Sequence, residues 1–135
     1  MIVGFTGSQH GMNDHQYRAL GQLFRWLPIT LFRHGDCVGS DYEAHQLLRI
    51  VDSSVKIHIH PSDITQKRAF VQGDRVYRPL EPLSRNRYIA GCLAEFPVDL
   101  LIATPYEDHE IVRSGTWSTV RYARKIGTPR IILLP

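Results

Sequence analysis

Apolar residues gather in five short runs along the chain: Ile2–Thr6, Ile29–Phe32, Val55–His60, Val98–Thr104 and Arg130–Leu134. The last two contain VDLLIAT and RIILL and are nearly continuous, the pattern of strands buried on both faces of a parallel sheet. In the third, Val55, Ile57 and Ile59 alternate with polar positions, which sets His58 and His60 on the opposite face. Four stretches between these runs repeat apolar residues at helical spacing. The first spans Asp14 to Leu27, with Asn13 or Asp14 as its cap, Tyr17, Leu20, Leu23, Phe24 and Leu27 on one face, and Pro28 as its stop. The second begins near Ser40 or Asp41 and buries Ala44, Leu47, Leu48 and Val51. The third begins near Ser84 and buries Ile89, Cys92, Leu93 and Phe96 before Pro97. The fourth begins at Ser114 or Thr116, buries Val120, Ala123 and Ile126, and ends at Gly127, a left-handed cap with Pro129 two residues beyond.

Strands alternating with helices through short connections predict right-handed βαβ units. The expected fold is α/β: a Rossmann-like, open, mostly parallel five-stranded sheet with helices on both faces, forming one domain over residues 1–135. One stretch breaks the alternation. Residues 61–83 contain Pro61, Gly73, Pro79 and Pro82 and show no period, which predicts a long loop; such loops are usually functional or mobile.

The chain has 135 residues, 43% apolar and 21% charged, enough for a packed core without disulfides or metals. No run approaches the roughly 18–20 apolar residues of a membrane span, and the start, MIVGFTG, lacks a basic leader. The expectation is a cytoplasmic protein with no membrane association and with Cys37 and Cys92 reduced. The formal net charge of +3 conceals two biases. Thirteen of the 16 basic residues are arginine, whose planar fork matches phosphate and carboxylate oxygens. Between Lys67 and Arg87 six basic residues accompany only Asp74 and Glu81, so positive charge concentrates in the aperiodic stretch.

In open α/β sheets ligands bind beyond the carboxyl ends of the strands. The segments that follow the first four runs are GSQHG (7–11), HGDCVGSD (34–41), the basic stretch ending in SRNR (84–87), and a loop ending in SGT (114–116). Glycine lets a backbone approach a ligand closely, and helix N-termini offer unpaired N–H groups at a positive dipole end. Gly, Ser and Asp are also ordinary turn and cap residues; three such loops plus an Arg-Asn-Arg helix start at one sheet edge point to a pocket for a phosphate-bearing ligand.

The succession GFTGS, HGDCVGSDYEAH, LSRNRYIAG, VDLLIATP and SGTWSTVRYARKIGTPRIILLP resembles the SLOG superfamily, which includes the Rossmann-like domain of DprA (Smf) and the LOG phosphoribohydrolases. The order G-x-D-x-x-A-H, RNR-x-I, then SGT is most similar to the DprA-like branch and covers nearly the whole chain. The resemblance implies a nucleotide site in which Gly7, Ser8 and Gln9 line the first loop and Gly35, Gly39 and Asp41 form a second wall. It further implies that Arg85, Asn86 and Arg87 contact phosphate or order the crevice, and that Ser114, Gly115 and Thr116 supply the phosphate-binding helix start. LOG enzymes place a catalytic Glu three residues after the Thr of their Gly-Thr pair. Here that position is Thr119, which cannot act as a carboxylate nucleophile or stabilise an oxocarbenium-like transition state. Asp41 and Glu107 are then the candidate catalytic carboxylates, although Glu107, Asp108 and Glu110 also read as a solvated acidic turn.

Other constellations are weaker. His58 and His60 with His34 or Asp36 could ligate a metal, but strand alternation explains the histidines without one, and neither metal nor cofactor is expected. His34 and Cys37 lack an orienting third group for nucleophilic catalysis. No G-x-S-x-G, G-x-G-x-x-G or P-loop motif occurs. Trp117 sits beside the phosphate loop as a base-stacking candidate or a core residue. Tyr77, Tyr88 and Tyr106, near arginines or the crevice, would also suit single-stranded nucleic acid. The functional expectation is a module that binds a nucleotide or nucleotide-derived small molecule as a sensor or sequestering protein. The alternatives are a hydrolase or transferase at an N-glycosidic bond and DprA-like binding of single-stranded DNA. The family's habit adds a homodimer.

Overall fold

The computed structural model describes residues 1–135. Six strands form one sheet: β1 (Ile2–Gly7), β2 (Leu31–His34), β3 (Lys56–Ile59), β4 (Arg75–Val76), β5 (Leu100–Thr104) and β6 (Arg130–Ile132). Every pairing is parallel, in the order β4-β3-β2-β1-β5-β6. The helices are α1 (Asp14–Trp26), α2 (Ser40–Val51), α3 (Pro82–Ala90) and α4 (Gly115–Ile126). The fold is a Rossmann-like α/β domain, with chain order reversing between β1 and β5.

Strand alternation divides the core between the two faces. Val3, Phe5, Phe32, Ile57, Ile59, Leu100 and Ile102 pack with Leu20 and Phe24 of α1 and Ala44, Leu47 and Leu48 of α2. Phe32 anchors this layer through an edge contact with Phe24, centroids 5.4 Å apart. On the other face Leu101 and Ala103 pack with Ile89 and Ala90 of α3 and Trp117, Val120 and Ala123 of α4. That second layer covers only the β1–β5–β6 half. Over β2 and β3 its place is taken by Arg33, His58 and His60 under an aromatic cluster.

Local signals set the helix limits. Asn13 caps α1 through a reciprocal pair, its side chain accepting from Gln16 N–H while the Gln16 side chain accepts from Asn13 N–H. Gln16 is also buried, and its amide donates to the carbonyls of Pro105 and Leu133 at 2.8 Å each. Ser114 caps α4, and Gly127 ends it at φ 82°.

Three expectations need correction. There are six strands rather than five, because β4 lies inside the stretch read as a loop. Residues 61–83 carry a 3-10 turn at Thr65–Lys67, strand β4 and the first two residues of α3. Two residues of strand carry no readable period, and buried Asp36 holds the segment instead. Its carboxylate accepts from Arg68 Nε and Val71 N–H at 3.0 Å each. The third helix starts two residues earlier than expected, at Pro82, because Glu81 accepts from the N–H groups of Leu83 and Ser84. It also stops earlier, at Gly91 with φ 85°, so Cys92, Leu93 and Phe96 lie outside it. Finally, Ile126, the last residue of α4, is 47% exposed and off the buried face.

Candidate functional site

The loops after β1 and β5 diverge at the point of reversal and open a cavity of about 320 Å³ at the carboxyl edge of the sheet. This is the lower end of the roughly 300–1,000 Å³ range of small-molecule sites. Two glycines permit its walls to meet. A Cβ on Gly7 would strike Thr104 Oγ1 and Ser40 Cβ, so only glycine lets β1, β5 and the start of α2 converge. Gly39 holds φ 87° against the carbonyls of Ser8 and Gln9, locking the loop before α2 onto the first loop; Ser40 N–H donates to Ser8 O at 2.9 Å.

One wall is the start of α4. Ser114 Oγ accepts from Trp117 N–H at 3.2 Å, while the N–H groups of Gly115 and Thr116 have no acceptor within the protein. Both residues line the cavity at the positive end of a 12-residue helix, the usual seat of a phosphate or carboxylate. The start of α3 differs, because Glu81 already occupies its N–H groups.

The facing wall is Arg85, which comes from the second turn of α3 and is only 8% exposed. Its Nη1 donates to Gly35 O at 2.8 Å and to His60 O at 3.4 Å, tying together the loops after β2 and β3. Its Nε is buried without a partner. Arg85 forms no ion pair with a carboxylate. Asp41 lies near enough for its charge to be favoured by Arg85, yet burial dominates and pushes its carboxyl up to about 6. One Asp41 oxygen accepts from Gly35 N–H at 3.2 Å and Cys37 N–H at 3.1 Å; the other is buried without a partner. The Cys37 thiol also faces the cavity, and burial followed by the Asp41 charge raises its pKa.

Glu107 separates from its acidic neighbours. Asp108 is exposed beside His109, and Glu110 pairs with Arg121 and Arg124. Glu107 instead lines the cavity, and one of its oxygens is buried without a partner. The cavity therefore has two carboxylates, Asp41 and Glu107, and three cationic side chains, Lys67, Arg85 and Arg113.

Of the residues singled out in the sequence, Gly7, Ser8, Gln9, Asp41, Arg85, Asn86, Ser114, Gly115, Thr116 and Glu107 line this cavity. Gly35 and Gly39 lie just behind it, as partner of Arg85 and as the crossing point of the loops. Arg87 is exposed and outside the lining, since residues two apart on a helix, such as Arg85 and Arg87, lie on different faces. Trp117 is 5% exposed in the core under α4 and offers no ring face to the cavity. The ring at the mouth is Tyr106, 61% exposed and 4.6 Å from His10. Sequence reasoning missed Lys67, Arg113 and His10; each stands within the loops it had chosen, but nothing in their spacing marks direction. Thr119 is fully buried and donates to Gly115 O at 3.0 Å, so its hydroxyl serves the helix. His58 and His60 meet no third ligand: no group of three His, Cys, Asp or Glu residues could hold a metal. His34 pairs with His45 of α2 at 3.0 Å instead.

The geometry thus defines a Rossmann-like domain with a polar, cation-bearing cavity at its topological switch point. A solved structure, the X-ray structure of TM1055, a structural genomics target, superposes with a TM-score of 0.65 at 14% identity, covering 96% of this chain and 71% of that one. At that identity the likeness is one of fold. No family model and no curated protein matches the sequence. No helix is long and apolar enough to cross a membrane.

Proposed function

We propose that this chain is a SLOG-like domain that binds a small nucleotide or nucleotide-derived ligand through its phosphate. The observation that carries this is Arg85: a buried guanidinium with an unpartnered Nε and no paired carboxylate, on a cavity whose other wall presents the free N–H groups of Gly115 and Thr116. A phosphate would accept from both walls through charge-assisted bonds, which are stronger than neutral ones. The order of motifs shared with the SLOG superfamily supports the same reading.

Calorimetric titration with AMP, ADP, cyclic nucleotides and ADP-ribose tests it. At least one ligand binds, and Arg113→Ala, an exposed change on the cavity wall, weakens it about tenfold, roughly 1.4 kcal/mol. Arg85→Lys weakens it further because the planar fork is lost. Absence of binding across the panel, or indifference to both changes, overturns the proposal.

A second reading rests on the two unpartnered carboxylate oxygens of Asp41 and Glu107. Two carboxyl groups flanking one site are the usual apparatus of glycosidic cleavage. On this reading nucleoside monophosphates release free base, and Glu107→Gln stops the release while leaving phosphate binding intact. A fully stable ligand over long incubation at high protein concentration removes it.

A further inference from the structure

A second cavity, of about 150 Å³, adjoins the first. Arg85 belongs to both walls. The end of β3 and the residues after it divide the two: His60 and Pro61 face the second cavity, Ser62 the first. At half the volume of the smallest usual ligand site, it has room for one group of a ligand and not for a whole nucleotide.

Its chemistry is cationic. Arg78 and Arg85 line it, and Arg33 stands behind, 4% exposed, reaching His60 Nε2 at 3.3 Å and His58 Nδ1 at 3.5 Å. Arg33 and Arg85 each keep a buried Nε without a partner, and neither forms an ion pair. The lining contains no Asp or Glu. Burial, followed by the Arg33 charge, lowers His60 to about 3, so this imidazole is neutral at physiological pH. Buried cations without a paired counter-charge are costly; Asp41 offsets Arg85 only in part, Arg33 has no such neighbour, and an anion from outside would relieve that cost.

The aromatic rings near this cavity are largely occupied. His60 is stacked between Tyr77, 4.5 Å away at 5°, and Tyr88, at 5.3 Å. Tyr77 carries Arg75 on its ring at 4.6 Å, and Phe96 carries Arg33 at 5.2 Å. Little ring face is left for a base, which favours an anionic group over a planar one.

We infer that the second cavity is an anion subsite for a second phosphate of the ligand held in the first cavity, with Arg85 bonding between the two groups. Arg85 is the one residue common to both walls, so a single guanidinium stands between the two groups, which suits phosphates carried on one sugar. The inference rests on the proposed nucleotide reading and names its substrate class: a nucleoside carrying two separated phosphates.

The probes are AMP, adenosine 3′,5′-bisphosphate and inorganic phosphate. The bisphosphate binds at least tenfold more tightly than AMP. Arg78→Ala, an exposed substitution, removes that advantage and leaves AMP affinity within twofold. Inorganic phosphate shifts the ring resonances of His60 and Tyr88 in the parent protein and not in Arg78→Ala, a readout independent of any nucleotide. Equal affinity for AMP and bisphosphate, with phosphate shifting only the Gly115 and Thr116 amides, overturns the second subsite and leaves the first-cavity reading standing. Failure of every nucleotide while phosphate still moves His60 and Tyr88 overturns the first-cavity reading and the shared-ligand inference together. An Arg78-dependent gain seen only with oligothymidylate overturns the small-ligand assignment.

Discussion

Asp41 is where charge and burial conflict most directly. Folding raises its carboxyl from 3.8 to about 6 because burial outweighs the Arg85 charge and the two N–H donors. The folded protein therefore holds this proton more tightly than the unfolded chain does. The contribution is fully present below pH 3.8 and is lost as pH rises through about 6, a span on the order of 3 kcal/mol. Asp41→Asn keeps an acceptor for Gly35 and Cys37 while removing the charge. Urea denaturation from pH 4 to 8 should show the variant gaining on the parent as pH rises; parallel profiles would refute the assignment. The same titration bears on binding, since ionised Asp41 faces the cavity that would take an anion. Ligand affinity in the parent should fall as pH passes about 6, and in Asp41→Asn it should not. Gly7 offers a different residue-scale test. Gly7→Ala forces a methyl into Thr104 and Ser40, a cost of about 1–3 kcal/mol for overpacking, visible as a lower Tm. Gly7 was readable in the sequence as a residue that permits close approach. The Asp41 shift was not, because burial arises from strands and loops that only the fold assembles.

At the level of elements, five of the six strands and helices α1, α2 and α4 were legible because each carries a continuous or periodic apolar face, whereas α3 buries Arg85 and Asn86 beside Ile89 and Ala90 and was read partly from residues beyond its end. What escaped the sequence lacked a period of its own. Strand β4 has two residues, Arg75 and Val76, both exposed, and its neighbourhood is fixed by a carboxylate about 40 residues earlier. Asp36 sits at φ 59° and is fully buried, accepting from Arg68 and Val71 while its carbonyl accepts from Ala69 N–H at 2.8 Å. Asp36→Asn preserves the shape and tolerates the left-handed conformation but removes the charge opposite Arg68. The expected loss is about 1.5–3 kcal/mol, the worth of hydrogen bonds to a charged group, concentrated in one segment. Hydrogen exchange should quicken at residues 65–76 while α1 and β5 stay protected. Uniform acceleration would mean that the segment is not held locally. The third helix carries a related lesson. Its Arg-Asn-Arg run reads as a unit in sequence, yet helical geometry sends Arg85 and Asn86 inward and Arg87 to solvent.

Across the whole molecule, the pairing of charges decides what kind of anion the surface can hold. Arg68 is neutralised by Asp36, Arg49 and Lys56 by Asp74, and Arg121 and Arg124 by Glu110. Lys67, Arg85 and Arg113 converge on the first cavity, Arg78 and Arg85 on the second. Positive charge thus gathers at one edge of the sheet, four cations against the two carboxylates Asp41 and Glu107. A long polyanion needs a continuous basic track and releases counterions at each contact, so its log affinity falls with log salt at about −0.7 per phosphate engaged for single strands. Four contacts would give a slope near −3. A small ligand seated on one or two cavities carries little condensed counterion and should show a shallower dependence than about −1. Titration between 50 and 300 mM salt therefore separates the small-ligand reading from DprA-like DNA binding on a single preparation. A steep slope with oligothymidylate, together with affinity exceeding that of any mononucleotide, would favour DNA. With the small ligand at a hundred times its Kd, mass action adds about 2.7 kcal/mol. In a domain of this size that raises Tm by roughly 10 °C, and Arg113→Ala should reduce the rise at the same ligand concentration.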